Sequence, residues 1–299
     1  MDFFTLAIVF IFGATIGSFL NVVIYRYNSG VSPLRGRSQC FACGKTLAWY
    51  ELVPIVSFFI QRGRCRGCGV KLSWQYPAVE ALTGVIALAI AVLQKPLIES
   101  VYLAIIFSTL LVIAVYDLRH KIIPDGLVVL FAVLSLSWFI WSTPASFERL
   151  LHFPYHWHLL AGPLLFLPFW ALWLVSRGRW IGLGDGKLAL GIGWFLGMTL
   201  GGSAVMLAFW IGAAYALTVM AIQRIAITVS AYVSQKSKVL KSKAGLPAFL
   251  STFDFRLSDS YLSMKSEIPF GPFLILGVFI VYFTHVNFFD GSINFFTFL

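Results

Sequence analysis

The sequence predicts an all-α polytopic membrane protein with about eight transmembrane helices and a cytoplasmic zinc-ribbon-like loop inserted after the first. Three observations predict it. Of 299 residues, 59% are hydrophobic and only 11% charged, against about 25% charged in an average soluble domain, and the mean hydropathy is +0.86. Apolar runs approaching the roughly 20 residues that cross a hydrocarbon core recur along the chain. Basic residues, finally, are confined to alternate loops.

The first run, Phe3–Tyr25, has Asp2 before it and Arg26 after it. That charge order is the reverse of a secretory signal and suits a retained helix with its N-terminus outside. Further runs are Pro77–Leu93, Ser100–Tyr116, Leu127–Trp141, Leu159–Val175, Leu188–Leu200, Ala204–Ile222 and Pro269–Phe289. The sixth is short and interrupted by Gly191, Gly193 and Gly197. Threaded from an outside N-terminus, 20 of the 22 Lys and Arg residues fall in four cytoplasmic loops, leaving Lys95 and Arg149 outside. This bias orients the chain, with both termini outside. It also accounts for the net charge of +10 without nucleic acid, because the basic loops face anionic lipid. Three regions follow: residues 1–25 as the first helix, 26–76 as the cytoplasmic loop, and 77–299 as a seven-helix membrane domain with a cytoplasmic insert near 223–268.

The loop 26–76 holds all four cysteines, as "CFAC" (Cys40, Cys43) and "CRGC" (Cys65, Cys68), with Gly44 and Gly69 directly after the pairs. Two C-x-x-C pairs 21 residues apart suit a zinc ribbon, in which each pair sits on a tight turn and four thiolates meet around one ion. Four thiolates leave no open position for water, so the expected role is structural. The insert carries a serine- and lysine-rich stretch, Ser234–Gly245, which reads as a solvated basic segment near lipid headgroups.

Hydrolysis by carboxylates needs two of them, sharing a proton: one activates water while the other protonates the substrate. Asp185, in "GLGDGKL", stands between glycines before an apolar run. Taken alone, it reads equally as a cap on that helix. The topology leaves Asp117, Asp125 and Glu80 as possible partners. Asp117 follows the third apolar run directly, whereas Asp125 follows Pro124 and looks like an N-cap. Asp117 is therefore the expected partner. Gly182 and Gly184 leave the backbone bare beside Asp185, and Lys187 either tunes that carboxylate or meets lipid phosphate. Glu80 and Asn21 are polar groups within helices and must be hydrogen-bonded.

Several stretches carry a resemblance: "GSFLNVVIYR" (Gly17–Arg26), the cysteine region through Glu80, "DLRHKIIPD" (Asp117–Asp125), "GLGDGKL" (Gly182–Leu188) and "IPFGPFL" (Ile268–Leu274). In this order they resemble the type 4 prepilin peptidases, membrane aspartyl proteases of the GxGD kind. The resemblance implies that Asp117 and Asp185 are catalytic, with Gly182, Gly184, Lys187 and Asp125 supporting them. It implies cleavage of the basic leader of prepilins or pseudopilins after a glycine, at the cytoplasmic face of the bacterial inner membrane. It also implies N-methylation of the new terminus from S-adenosylmethionine, at a site the motifs do not locate. The sequence departs from the family pattern at Gly186, where a bulkier apolar residue is usual, and in the long insert. A non-catalytic scaffold of a pilus or secretion assembly is the rival reading; it leaves both aspartates without a task.

Overall fold

The computed structural model describes residues 2–142, 155–244 and 269–289. Helices α1 (Phe3–Arg26), α2 (Val56–Ile60), α3 (Gln75–Val92), α4 (Leu97–His120), α5 (Asp125–Ser142), α6 (Tyr155–Ser176), α7 (Leu183–Ala244) and α8 (Gly271–Thr284) follow in chain order, with a short 3₁₀ turn at Trp49–Glu51. Among the described residues the extended pairing is limited to two isolated bridges, Gln39 with Thr46 and Arg64 with Lys71. The basic stretch from Ser234 onward belongs to residues whose side chains lie outside this description, as does the rest of the insert.

Among the described residues six helices are long and apolar enough to cross a membrane: α1, α3, α4, α5, α6 from Trp157, and Leu183–Thr228 of α7, while α8 is a shorter apolar helix. Segment α7 is too long for one crossing, and it reverses. Gly197 takes φ 79 and ψ −175, a conformation that only glycine adopts readily. A Cβ on Gly201 would stand 3.6 Å from the Gly193 Cα, whereas eight residues of straight helix would separate them by about 12 Å. The chain therefore folds into two antiparallel arms at Gly197. The sixth and seventh sequence segments are these arms, and the first arm begins five residues earlier than expected, at Leu183 rather than Leu188. Asp185 accordingly lies inside the first helical turn. The last span is shorter than Pro269–Phe289, because His285 turns into the left-handed region and ends α8.

Helix α4 is the centre of the bundle: Leu103, Ile106, Phe107, Leu110 and Ile113 are fully buried. Lipid is as apolar as leucine, so close packing and polar satisfaction hold such helices together. Gly13 and Gly17, spaced i and i+4 on α1, let α3 approach until added Cβ atoms would lie 2.6 Å from the Ala87 Cβ and 2.7 Å from the Glu80 Cα. Pro163 inside α6 cannot donate to the carbonyl four residues back. The Trp194 indole on the first arm of α7 donates to that Leu159 carbonyl at 2.9 Å instead. The backbone acceptor that proline leaves open thus gains its partner from a neighbouring helix.

Candidate active site

Helix α4 runs through Asp117 to His120, and Lys121 closes it at φ 55 with its N–H on the Asp117 carbonyl at 2.7 Å. Asp117 is therefore one turn inside the helix rather than just past it, on a rigid element, and is only 3% exposed. Asp185 is 8% exposed. The structure brings the two together at one end of the bundle: Asp117 is the charged neighbour whose field acts on Asp185.

Backbone groups hold each carboxylate. The Gly182 N–H faces Asp185 and the Gly271 N–H, at the start of α8, faces Asp117. Each side chain nonetheless keeps one buried oxygen without a hydrogen-bond partner, Asp117 Oδ2 and Asp185 Oδ1. Buried unsatisfied oxygens are costly, and here each aspartate keeps one. Ile123, in the connection between α4 and α5, packs against the segment of Asp185 and against the head of α8. Added Cβ atoms on Gly184 and Gly271 would lie 3.0 Å from its Cβ and 3.1 Å from its Cδ1. Sequence reasoning overlooked Ile123; its place between Asp117 and the helix-breaking Pro124 was the available signal.

Asp125 departs from expectation. It is the first residue of α5, and the carbonyl that opens the helix belongs to Pro124, which accepts from Val128 at 3.1 Å. The Asp125 side chain instead accepts from Lys187 Nζ at 2.7 Å. So Lys187 engages Asp125 on the neighbouring helix, joining the arm that carries Asp185 to the start of α5. The pair is exposed, 39% at Lys187 and 72% at Asp125, so its energy is under about 1 kcal/mol. Asp125→Asn or Lys187→Met is expected to lower turnover by at most about fivefold while leaving thermal stability within error. A loss of activity as deep as that of an aspartate variant would assign Lys187 a direct role.

Glu80 and Asn21 do not meet. The Asn21 amide donates to the Tyr76 carbonyl at 3.1 Å, and Glu80 Oε2 accepts the Ile55 N–H at 2.6 Å. Asn21 thus ties α1 to the first turn of α3, and Glu80 ties α3 to the residue that precedes α2.

In that region each cysteine pair forms the same turn. The N–H of Gly44 reaches the Cys40 carbonyl and that of Gly69 the Cys65 carbonyl, both at 2.9 Å. Gly44 and Gly69 sit at φ 70 and φ 71, where a side chain would be strained. All four Sγ atoms lie within 4.8 Å of one another, and Cys40 and Cys68 are 4.0 Å apart. Hydrogen bonds from the Cys68 and Gly67 backbone bring the Cys65 thiol down to about 7, which favours the thiolate that metals need. This group could hold a metal ion. Glu51 braces the fold: its buried carboxylate accepts from the Ala48 N–H at 2.9 Å and pairs with Lys45 at 3.1 Å. The Ala48 N–H, against the cost of burial and helped by Lys45, holds the Glu51 carboxyl below its ordinary 4.5. Its contribution to stability is thus present above pH 4.5 and is lost as the pH falls through the lower folded value.

Tyr25 of α1 links the cysteine region to the helix of Asp117. Phe41, inside the first C-x-x-C, stacks on Tyr25 of α1 at 5.2 Å; Tyr25 stacks on Tyr76 at 5.1 Å and lies under the Arg119 guanidinium at 4.0 Å.

Comparison with known proteins bears on this arrangement. Residues 11–94 match the bacterial peptidase A24 N-terminal domain, and residues 104–217, which include both aspartates, match the type IV leader peptidase family. The chain is similar to prepilin leader peptidase/N-methyltransferases. One, from Bacillus subtilis, is 32% identical over 222 residues, covering 74% of this chain and 86% of that protein. Another, from Klebsiella pneumoniae, is 31% identical over 197 residues, covering 63% and 83%. A third, from Myxococcus xanthus, is 44% identical over 120 residues, 40% of this chain and 36% of that protein. No solved structure matches.

Proposed function

Because this chain belongs to the type IV leader peptidase family, we propose that it is a membrane aspartic endopeptidase and N-methyltransferase, which removes the leader of prepilins or pseudopilins and methylates the exposed amine. The observation that carries the peptidase half is the pair of buried aspartates, each with one oxygen left without a partner. Such oxygens are suited to a water molecule and a substrate carbonyl.

In this reading water lies between Asp117 and Asp185. One carboxylate takes a proton from it as oxygen attacks the scissile carbonyl, while the other, in its acid form, protonates the carbonyl oxygen; the first then passes its proton to the leaving amine as the second recovers one from a hydroxyl of the tetrahedral intermediate. The C–N bond breaks, water's oxygen stays on the leader's new carboxyl, and the pair returns to its starting protonation. The substrate would be an apolar helix with a basic leader at its cytoplasmic end, cut after a glycine. Glycine unwinds a helix at a cost of about 1 kcal/mol less than alanine would, so the peptide bond is easily bared. Gly182 offers the extended strand a backbone without a side chain, whereas the same side of Gly184 is covered by Ile123. The cleaving face is the cytoplasmic face of the inner membrane, toward which the basic loops lie.

The four cysteines suit zinc: an all-thiolate set of Zn–S about 2.3 Å in tetrahedral arrangement places sulfurs about 3.8 Å apart, near the 4.0 Å between Cys40 and Cys68. Zinc would lock the two turns together, supplying folding energy to a loop with a small apolar core. S-adenosylmethionine, where bound, supplies the methyl group. Cys65→Ser is expected to lose the bound metal and to open residues 28–74 to limited proteolysis. Retained metal with unchanged protease resistance would show that the four thiols are not its ligands.

The test of the whole reading is cleavage in membranes of a co-expressed prepilin, followed by mass spectrometry of the product. Trimming after glycine with a further 14 Da on the new terminus (one methylene, CH₂, at about 14 Da) is expected. A folded, metal-loaded enzyme that leaves several prepilins intact would favour the scaffold reading.

A further inference from the structure

The short helix α2 presents an apolar face that the protein itself does not cover. Phe58 turns inward, but Val56, Phe59 and Ile60 are 51%, 58% and 64% exposed, and Trp74, beside them, is 68% exposed. The Phe58 and Phe59 rings lie 4.9 and 6.1 Å from the Trp74 ring. A face like this on a cytosolic loop would be an aggregation hazard.

Two observations locate it. The first is depth. The Ile55 N–H, immediately before α2, donates to Glu80, and Glu80 lies about 7.5 Å along α3 from its first residue, at 1.5 Å per residue. Helix α2 is therefore held down beside the entry of α3 instead of standing off from it. The chain accepts φ 62 at Ile55 for this contact, a conformation costly for a β-branched residue. The second is continuity. Trp74 has helical φ and ψ at the head of α3, and exposed Leu82 and Val85 follow it at i+8 and i+11, on one face of the helix. That face, on a helix long and apolar enough to cross a membrane, is the lipid-facing one. Phe59 and Ile60 extend it sideways at its headgroup end. Arg62, Arg64 and Lys71, all exposed, flank the apolar face with positive charge.

We propose that α2 and Trp74 form an interfacial anchor, seated among acyl chains and anionic headgroups of the bilayer, that presses the cysteine region onto the membrane surface. Tryptophan at a helix entry and phenylalanine with isoleucine beside it are the residues that partition into this zone. Basic residues near an anionic surface add to the attraction. The anchor fixes the cysteine region at the level where the apolar part of a substrate leaves the membrane. It does not depend on the chemistry of the aspartate pair.

A photoreactive p-benzoyl-phenylalanine introduced in place of Phe59 tests this in the full chain, reconstituted in vesicles of phosphatidylethanolamine and phosphatidylglycerol. The same group in place of Val85 serves as the lipid-facing control, and metal content equal to that of the unlabelled protein reports a folded loop. After irradiation, a phospholipid adduct on the peptide containing position 59 is expected, unchanged by added prepilin. Lipid adducts at position 85 with none at 59 would overturn the proposal. So would crosslinks from 59 to prepilin or to a second copy of the chain in place of lipid. As an independent readout, brominated lipid should quench less of the total emission in Trp74→Phe than in wild type; equal quenching would count against the anchor.

Discussion

Asp117→Asn and Asp185→Asn should each lower prepilin cleavage by about 10²–10⁴-fold, the range that a positioned acid or base contributes, with expression and membrane insertion unchanged. Asparagine keeps the size of the side chain and still accepts the N–H of Gly271 or Gly182 through its oxygen, so packing around the α4 terminus and the first arm of α7 is retained. What it cannot do is exchange a proton with water. Because both residues act on one water, the double variant should be about as inactive as either single one, a non-additivity expected of groups that work as a unit. The wild-type rate should fall at both ends of the pH range, since one member must be ionised and the other protonated. Product mass spectrometry in membranes checks all of this together. Normal cleavage by either variant would remove that residue from the pair and return Asp185 to the role of a helix-terminal carboxylate.

Much of this arrangement was legible from residue order alone. Hydropathy runs and the distribution of lysine and arginine gave the crossings, because both reflect a strong local cost: an apolar helix in water, or a charge in lipid. The glycine-studded sixth segment was recognisable, but its reversal was not. Gly197 differs in the sequence from Gly191 and Gly193 in nothing, and only packing against α6 decides which of them bends. The same limit applies to the polar residues. Asp125 after a proline had every local mark of a helix cap, yet a lysine 62 positions away claimed its carboxylate. Pairings across such distances depend on how helices are arranged and leave no trace in local pattern. Glu51, which nothing in the local pattern marks out, braces the cysteine region for the same reason. The cysteine pairs were readable because their geometry is local: each turn closes within five residues, on a glycine that follows the second cysteine.

Gly271→Ala should lower turnover by about 10²-fold, the cost of misplacing a reacting group by about 1 Å, although Gly271 carries no chemistry of its own. The added Cβ would stand 2.7 Å from Asp117 Oδ2 and 3.1 Å from the Ile123 Cδ1, so something must move. Helix α8 cannot retreat to make room. Gly277, further along it, packs so tightly on α7 that a Cβ there would lie 2.3 Å from the Ala204 carbonyl oxygen, and Leu274 and Val278 are fully buried. The helix of Asp117 is equally fixed at the core of the bundle. Rotation of the Asp117 carboxylate is the cheap response, and it moves the free oxygen from the place it now holds. Turnover should therefore fall while the Michaelis constant, thermal stability and metal content stay near wild type. Gly212→Ala supplies the control, because its Cβ would meet Phe273 at 3.5 Å and Phe270 at 3.8 Å, both ordinary contacts, and its activity should stay within about twofold of wild type. If Gly271→Ala behaves like that control, the backbone at the head of α8 does not position Asp117, and the carboxylate pair is held by α4 and the first arm of α7 alone.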